Sequence, residues 1–355
     1  MFDMGRVSAI KRARLQAVLV FCLLSVVACT PRYAAKHGQP HPSATIQSIY
    51  VATTRSLDDT GPAFGAARAK KLNYFRADIS VPPTHEVGQI EWAKNAPDAR
   101  TDFLLTDTLR FGNAGAMARS VQRATPGNET MVFVPGYNNT LSEAMYRLAQ
   151  IRTDFDQGNP AVLFSWPSAG DPRGYVYDRD SVLFARDDLE HVLQSLTAAP
   201  GEKVFLLAHS VGSHLTMEVL RQAALRGDRR LLNRIGGVVL MSPDIDPDLF
   251  RRQAEAIGKL PQPFLIFTSQ QDRALGLSAL LSGRKPRLGV VDSPEAVEGL
   301  GVRVVDFSEV SDGKGLNHIV PVTSPAAVQL LKGLISQSER QGRWMNDFIV
   351  LHKQP

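Results

Sequence analysis

The sequence predicts an α/β protein with a mostly parallel central sheet that is covered by helices on both faces. From residue 130 onward, short apolar runs alternate with segments of helical periodicity, as in chains that build parallel sheets from crossover units. The runs are continuously apolar rather than alternating, which is typical of strands buried on both faces. Hydrophobic residues make up 44% of the 355 residues, so the chain can bury a large core.

The element boundaries follow from these runs and from the turn residues between them. The predicted strands of this region are Met131–Val134, Ala161–Ser165, Val204–Ala208, Gly237–Met241, Phe264–Thr268 and Val302–Phe307. The predicted helices are Leu141–Phe155, Ser181–Leu196, Val211–Ala224, Pro247–Ile257, Ala274–Leu281 and Pro325–Leu334. Before residue 130, Gln47–Thr53 and Leu72–Val81 are expected to add N-terminal strands.

The N-terminal residues have the pattern of a bacterial lipoprotein signal peptide. Basic residues are followed by the apolar run Ala17–Val27, which is too short to span a membrane. The run ends in Val26-Val27-Ala28-Cys29, which resembles a lipobox and implies cleavage before Cys29 and its acylation, palmitate being one such chain. Two or more acyl chains give stable anchoring. An ordinary secretory signal, with Cys29 incidental, is the alternative.

The expected location is the cell envelope, because the signal resembles that of a lipoprotein. Thr30 rather than aspartate follows the cysteine, so the signal for retention in the inner membrane is absent. We expect an outer-membrane lipoprotein that faces the periplasm. The predicted organisation is a signal peptide (1–28), a flexible polar tether (29–45), a catalytic α/β domain (46–335) and a C-terminal tail (336–355).

Several classes of function are not expected from the composition. The two cysteines are Cys22 and Cys29, so the processed chain would lack a disulfide and a thiolate metal site. Its basic residues form no cluster interleaved with aromatics, so nucleic acid is not an expected partner. We find no phosphate-binding glycine loop and expect no metal and no cofactor.

Residues 203–215, KVFLLAHSVGSHL, combine an apolar strand, a tight turn and the start of a helix. Ser210 stands at the apex, in a turn that forces strained backbone and therefore requires small residues at positions 208 and 212. Ala208 and Gly212 meet that requirement. This is the arrangement of the nucleophile elbow of α/β-hydrolases, with Ser210 as the nucleophile.

A serine nucleophile needs a histidine base that a carboxylate orients, in the chain order serine, acid, histidine. His318 fits best among the eight histidines, because it lies in a glycine-rich loop after the last predicted strand. Asp272 follows the strand Phe264–Thr268 and is the preferred acid. Asp244, at the end of the preceding strand, remains an alternative.

Two backbone N–H groups are needed to bind the oxyanion of the transition state. We expect them from Val211, directly after the nucleophile, and from Tyr137 in the loop Pro135-Gly136-Tyr137-Asn138-Asn139. Candidate residues for the substrate pocket, which packing under a loop explains equally well, are Trp166, Tyr175, Tyr177 and Asp178.

Several motifs together resemble a bacterial α/β-hydrolase family of unknown function that is often described as esterase- or lipase-like. They are residues 49–55 (IYVATTR), 133–139 (FVPGYNN), 164–168 (FSWPS), 208–212 (AHSVG), 242–246 (SPDID) and 272–275 (DRAL). The resemblance implies a Ser–Asp–His serine hydrolase without a cofactor, and it implies no particular substrate. Pro135 departs from it, since the family often has histidine before this glycine.

The expected activity is hydrolysis of a small-molecule or lipid-like carboxylic ester through an acyl-enzyme. An amidase or a thioesterase would use the same triad. A catalytically silent envelope-binding module on the same fold is the alternative from another class, motivated by Ala208 and Pro135.

Overall fold

A ten-stranded mixed sheet forms the centre of the part of the chain that the structure describes. In this computed structural model that part comprises residues 32–57, 64–124, 129–283, 285–292, 294–310, 316–341 and 348–351. The strands are β1 Thr45–Leu57, β2 Phe64–Val81, β3 Leu104–Phe111, β4 Glu129–Val134, β5 Ala161–Ser165, β6 Lys203–His209, β7 Ile235–Met241, β8 Phe264–Thr268, β9 Arg303–Asp306 and β10 Phe348–Val350. Their order across the sheet is β10-β9-β8-β7-β6-β4-β5-β1-β2-β3.

The sheet is parallel from β10 to β1, and β2 and β3 extend it as an antiparallel edge. The predicted fold class, an α/β-hydrolase fold with added N-terminal strands, is confirmed. All strands predicted from residue 130 onward are present, with ends that differ by at most two residues. The edge strand β3 was not predicted, because its middle, Thr106–Arg110, is polar except for Leu109 and is partly or fully exposed.

Helices cover both faces of the sheet. In the described residues they are Ala114–Ala124, Leu141–Asp154, Tyr175–Phe184, Arg186–Leu196, Val211–Leu225, Arg229–Leu232, Pro247–Ile257, Arg273–Leu281, Val320–Thr323 and Pro325–Gln341. The helix predicted as Ser181–Leu196 is two helices, because Ala185 adopts φ −85° and ψ 0° between them. None of the helices in the described ranges is long and apolar enough to cross a membrane.

Two hydrophobic clusters lie on opposite faces of the sheet. Strand β6 shows why, since its side chains alternate: Leu206 and Ala208 join one cluster and Leu207 joins the other. The helix Val211–Leu225 packs in the first cluster, and Leu141–Asp154 packs in the second. Because the strands from β6 to β9 are parallel, the loops that follow them emerge at one edge of the sheet.

The termini of the predicted domain differ from expectation. Part of the segment expected to be a flexible tether is attached to the sheet: the Leu105 N–H donates to Lys36 O at 2.9 Å, and the Gly38 N–H donates to Leu105 O at 3.2 Å. In the predicted tail, the last long helix continues to Gln341 and Phe348–Val350 pairs with β9. Cys29 and the predicted signal peptide lie outside the described residues, so the lipoprotein interpretation stays a prediction.

Candidate active site

Ser210 lies at a sharp turn between β6 and the helix Val211–Leu225, with φ 53° and ψ −123°. Positive φ is unfavourable for a residue with a side chain and costs about 1–3 kcal/mol unless the surroundings enforce it. Here the Ser210 N–H donates to Met241 O at 2.9 Å, and the Asp244 N–H donates to Ser210 O at 3.2 Å. Both bonds fix the turn to the end of β7. The turn therefore has the strained geometry of a nucleophile elbow.

Two glycines allow the loop after β4 to approach this turn. A Cβ atom on Gly212 would lie 2.4 Å from Pro135 O. One on Gly136 would lie 2.8 Å from the Ser210 Cβ and 2.7 Å from the His209 Nδ1. Any side chain at either position would push the loop away from the serine. The predicted oxyanion loop is thus in direct contact with the turn that carries Ser210.

His318 and Asp272 are hydrogen-bonded, with 2.7 Å between His318 Nδ1 and Asp272 Oδ2. The Asp272 side chain is fully buried, whereas that of His318 is 18% exposed. Asp272 also caps the following helix, since its Oδ1 accepts the Leu275 N–H at 3.0 Å. A carboxylate only accepts hydrogen bonds, so Nδ1 of His318 carries the proton and Nε2 is left with a lone pair. That is the tautomer a general base needs.

The loops that carry these two residues are joined by their backbones. The Arg273 N–H donates to Leu316 O at 2.9 Å, and Asn317 Nδ2 contacts Gln271 O at 3.4 Å. A depression of about 370 Å³ opens beside Asp272 at this junction. Residues 311–315, which form most of the predicted glycine-rich loop, lie outside the described residues.

Asp244, the alternative acid, is occupied by other partners. Arg287 Nε donates to its Oδ1 at 2.6 Å, forming an ion pair whose two side chains are 4% and 3% exposed. The hydroxyls of Tyr175 and Ser278 contact its Oδ2 at 3.0 and 2.9 Å. The carboxylate that contacts His318 is therefore that of Asp272, and Asp244 belongs to a buried network behind the site.

The structure does not join Ser210 to His318 directly. Among the hydrogen bonds of the described residues, none links the Ser210 hydroxyl to the imidazole. In unliganded enzymes such contacts are often long and shorten when substrate binds. His209 provides the nearest link, because its Nε2 lies 3.1 Å from His318 O and the two rings are 4.6 Å apart. Burial, and then the neighbouring His318, lower the pKa of His209 well below its usual value, so it is neutral and its Nε2–H donates.

A buried arginine, which sequence analysis did not assign to the site, supports the oxyanion loop. Arg55 is 2% exposed. Its guanidinium donates to Asn139 O at 2.6 Å, to Ser168 O at 2.9 Å and to the Ser165 hydroxyl at 3.0 Å. Burial lowers the pKa of Arg55 to about 10, while the charge of Asp178 opposes this change. The group is therefore still cationic at neutral pH and fixes the end of the loop.

Asp178 holds the same loop from the other side. Its Oδ2 accepts the Asn138 N–H at 3.1 Å and the Ser168 hydroxyl at 2.6 Å, and its Oδ1 accepts the Ala169 N–H at 2.6 Å. Burial raises the pKa of Asp178, although these bonds and Arg55 favour the charged form. Asn138 has φ 58°, so this loop is bent as well as tightly held. Asp178, a pocket candidate in the sequence, thus fixes the backbone.

The aromatic pocket candidates have different environments. Trp166 is fully buried and donates from Nε1 to Pro135 O at 2.8 Å, so it packs under the oxyanion loop. Tyr175 is buried and bonded to Asp244. Tyr177 is 37% exposed, and its hydroxyl donates to Ala66 O at 3.0 Å. Pocket lining by Tyr175 and Tyr177 stays a prediction.

In the described residues, three or more His, Cys, Asp or Glu side chains nowhere form a group that could hold a metal ion. A separate apolar cavity of about 360 Å³ lies on the sheet face beneath the helix Leu141–Asp154. Its lining includes Met131, Phe205 and Leu265 but neither Ser210 nor His318. Ser210 and the Asp272–His318 pair therefore lie outside this apolar cavity.

The chain is similar to several solved structures at low sequence identity. Similar solved structures include lipase B of Aspergillus fumigatus, with 15% identity, 64% of this chain and 59% of that chain covered, and a TM-score of 0.39. Dienelactone hydrolase of Anabaena variabilis has 14% identity, with 79% of this chain and 96% of that chain covered, and a TM-score of 0.36. An inhibited esterase B of Lactobacillus rhamnosis has 12% identity, coverages of 93% and 98%, and a TM-score of 0.36.

The chain thus spans 59% of the length of the fungal lipase. No curated protein matches it significantly. A family described as "Alpha/beta hydrolase of unknown function (DUF900)" matches residues 113–336, which is more than half of the 355 residues. The match covers the loop at Gly136, the turn at Ser210 and the Asp272–His318 pair. The chain therefore belongs to this family of α/β-hydrolases of unknown function.

Proposed function

We propose that the protein is a serine hydrolase that cleaves carboxylic esters with a Ser210–Asp272–His318 triad. The observation that carries the proposal is the 2.7 Å bond between Asp272 and His318, at the sheet edge where Ser210 is held in a strained turn. A buried carboxylate that orients one imidazole nitrogen leaves the other nitrogen to accept a proton. His318 Nε2 could then take the proton of a serine hydroxyl that comes within hydrogen-bond reach.

The reaction would proceed in two halves. The Ser210 hydroxyl attacks the ester carbonyl carbon while His318 Nε2 takes its proton, and the carbonyl π electrons move to oxygen. When the tetrahedral intermediate collapses, the alcohol leaves with the proton from His318. Water then attacks the acyl-enzyme, again giving its proton to His318, and the acid is released as the proton returns to Ser210.

The oxyanion would be bound by the backbone N–H groups of Val211 and Tyr137. Val211 is the first residue of its helix, where N–H groups have no partner within the helix and the helix dipole favours negative charge. Removing one such donor typically costs on the order of 3 kcal/mol in the barrier. The Arg55 and Asp178 contacts support this part of the proposal, because they hold the loop of Tyr137 in place before substrate arrives.

The test is a matched substrate series. The full chain and its Ser210→Ala variant are assayed with p-nitrophenyl butyrate, the corresponding p-nitroanilide and the butyryl thioester. We expect turnover of the oxygen ester that the variant lacks. Faster turnover of the anilide or the thioester would replace the ester assignment by an amidase or thioesterase. Equal ester turnover by both proteins would refute the nucleophile.

A second candidate, a catalytically silent envelope-binding module, is favoured by two observations. Ser210 has no hydrogen bond to His318 among the described residues, and Ala208 and Pro135 depart from the usual motifs. Such a protein would fold as well as the enzyme does and would turn over none of the three substrates.

We also propose that acylated Cys29 anchors the protein to the outer membrane, facing the periplasm. The support is the lipobox-like Val26-Val27-Ala28-Cys29 and the residue that follows it. Growth with radiolabelled palmitate should label the full chain and leave its Cys29→Ser variant unlabelled. Equal labelling of both would contradict the anchor.

A further inference from the structure

The most exposed large apolar side chains gather around the candidate active site. In the described residues, those at least 60% exposed are Val176 at 74%, Leu225 at 63%, Leu280 at 62%, Leu277 at 60% and Leu316 at 60%. Leu225 is at the far end of the helix that begins at the elbow. The other four belong to elements at the sheet edge of the Asp272–His318 pair, and we call Val176, Leu277, Leu280 and Leu316 the apolar rim.

The helix Arg273–Leu281 carries half of the apolar rim. Leu277 and Leu280 are three residues apart and so lie on one face. Gly276 is on the same face, and a Cβ atom there would meet nothing within 4 Å. The opposite face holds Leu275, which is fully buried, and Ser278, which is 6% exposed. This helix therefore carries leucine on its solvent face as well as on its buried face, unlike a surface helix of a soluble protein, whose solvent face is polar.

Leu316 and Val176 adjoin this helix. The Leu316 carbonyl accepts the Arg273 N–H at 2.9 Å, so Leu316 is at the start of the helix and two residues before His318. Val176 follows Tyr175, whose hydroxyl is 2.8 Å from the Ser278 hydroxyl. The segments that carry Leu316 and Val176 are therefore both in contact with the helix that carries Leu277 and Leu280. Grouped exposed apolar residues, unlike single ones, mark interaction surfaces.

The composition of the apolar rim favours a lipid surface over a protein partner. Protein interfaces draw their affinity from Trp, Tyr and Arg anchors, while Leu and Val are under-represented. The apolar rim is entirely aliphatic. An exposed cation, Arg273, lies on the same helical face, four residues before Leu277. Aliphatic side chains that enter a bilayer surface beside a cation that meets lipid phosphates are the usual combination for interfacial binding.

We propose that the apolar rim docks on a lipid–water surface and that the site hydrolyses an ester presented there. This inference rests on the proposed ester hydrolase function. The substrate would be an ester with a long acyl chain in a lipid layer, rather than an ester dissolved in water. Docking would remove the rim leucines from water and bring the mouth of the site to the ester.

The test compares two pairs of leucines in one background. All proteins are full chains with Cys29→Ser, so that no lipid anchor contributes, and residues 1–28 are identical in all of them. The rim variant is Leu277→Ser with Leu280→Ser. The matched control is Leu109→Ser with Leu225→Ser, which removes two other exposed leucines (46% and 63%) away from the site.

Each protein is assayed with p-nitrophenyl butyrate in water and with p-nitrophenyl palmitate in vesicles of phosphatidylcholine and phosphatidylglycerol. We expect the ratio of vesicle to water rate to fall about tenfold or more in the rim variant, because two leucines no longer leave water on docking. The control should keep the parent's ratio. Sedimentation with substrate-free vesicles should fall in parallel for the rim variant alone.

Equal ratios and equal sedimentation for the rim variant and the control would overturn the inference. The inference would also be overturned if the parent self-associates in ultracentrifugation through the apolar rim and does not sediment with vesicles, because the rim would then be an interface between copies. Labelling of all proteins with a fluorophosphonate separates the two proposals. If the parent labels but the ratios do not differ, this inference alone fails; if the parent does not label, the proposed function fails.

Discussion

Two histidine–aspartate pairs lie in different parts of the molecule and have nearly the same geometry. His318 is 2.7 Å from Asp272 at the carboxyl ends of the strands. His85, in the loop after β2, has its Nε2 2.9 Å from Asp154 at the end of the helix Leu141–Asp154. The difference is at the second nitrogen. His85 Nδ1 meets another carboxylate, Glu91, at 2.9 Å, whereas no described residue hydrogen-bonds His318 Nε2.

Under the proposed function, that difference separates a structural imidazole from the general base. Burial alone lowers the pKa of His85, but its bonds to Asp154 and Glu91 and their charges outweigh burial and raise the pKa to about 9. An imidazole that donates from both nitrogens has no lone pair for a substrate proton. His318 keeps one lone pair and is more exposed, with 18% of its side chain accessible against 9% for His85. A close aspartate is therefore insufficient to identify a base.

The largest expected effect distinguishes the two aspartates. Asp272→Asn should lower kcat/KM for p-nitrophenyl butyrate about 10⁴-fold, because an amide no longer fixes the required tautomer of His318. Asp154→Asn should leave kcat/KM within about tenfold but lower the free energy of unfolding by about 3 kcal/mol, since it disrupts a buried charge pair. Urea unfolding and initial rates measure both quantities. If Asp272→Asn and Asp154→Asn both fold and lose turnover equally, the distinction between the two histidine–aspartate pairs would be contradicted.

The next effect concerns the support of the oxyanion loop. Arg55→Met should lower the free energy of unfolding by about 3–5 kcal/mol, because Asp178 is left as a buried carboxylate without its cation. The double variant Arg55→Met with Asp178→Asn should recover part of that loss, as coupled sites are not additive. Urea unfolding of the parent, the two single variants Arg55→Met and Asp178→Asn, and the double variant gives the coupling energy between the two residues. Strict additivity would mean that Arg55 and Asp178 act independently.

A smaller effect is expected from His209, which donates to the His318 backbone. His209→Phe keeps a ring but removes the donor and should lower kcat about 10- to 100-fold by loosening the position of His318. His209→Gln, which retains an N–H donor, should recover part of the rate. The pH profile of kcat/KM tests whether the loss in His209→Phe acts through His318, because a displaced His318 would change the apparent pKa of the base. An unaltered profile and rate in His209→Phe would show that the contact has no role in positioning.

The smallest effect is a dependence of stability on pH. The pKa of His85 is about 9 in the folded protein against an ordinary 6.5, so folding is favoured by protonation. The stabilisation is complete below about pH 6.5 and is lost as pH rises through about 9. His85→Gln should flatten this part of the curve of unfolding free energy against pH, and an unchanged slope would contradict the assignment.

The sequence was sufficient for features that depend on neighbouring residues. The turn at Ser210 follows from one apolar strand, two small residues and the helix behind them. The fold class follows from the alternation of elements along the chain. His318 could be proposed from chain order alone, because one histidine follows the last predicted strand at a suitable place.

Features that depend on distant residues could not be predicted. Asp244 and Asp272 follow consecutive parallel strands, so their places in the sequence are alike. Only the tertiary structure shows that Asp244 binds Arg287 and that Asp272 binds His318. Arg55 and Asp178 hold the same loop although they lie 123 positions apart in the sequence. The available signal for Arg55 was its place in the motif of residues 49–55, directly after the predicted strand Gln47–Thr53. A charged side chain at such a place is buried only with partners.

The most direct measurement is fluorophosphonate labelling of the full chain beside its Ser210→Ala and His318→Gln variants, with mass spectrometry of the labelled peptide. The account predicts stoichiometric labelling on Ser210 in the parent, none in Ser210→Ala, and strongly slowed labelling in His318→Gln. A folded parent that stays unlabelled, or that is labelled equally in all three proteins, would contradict an activated serine at this site.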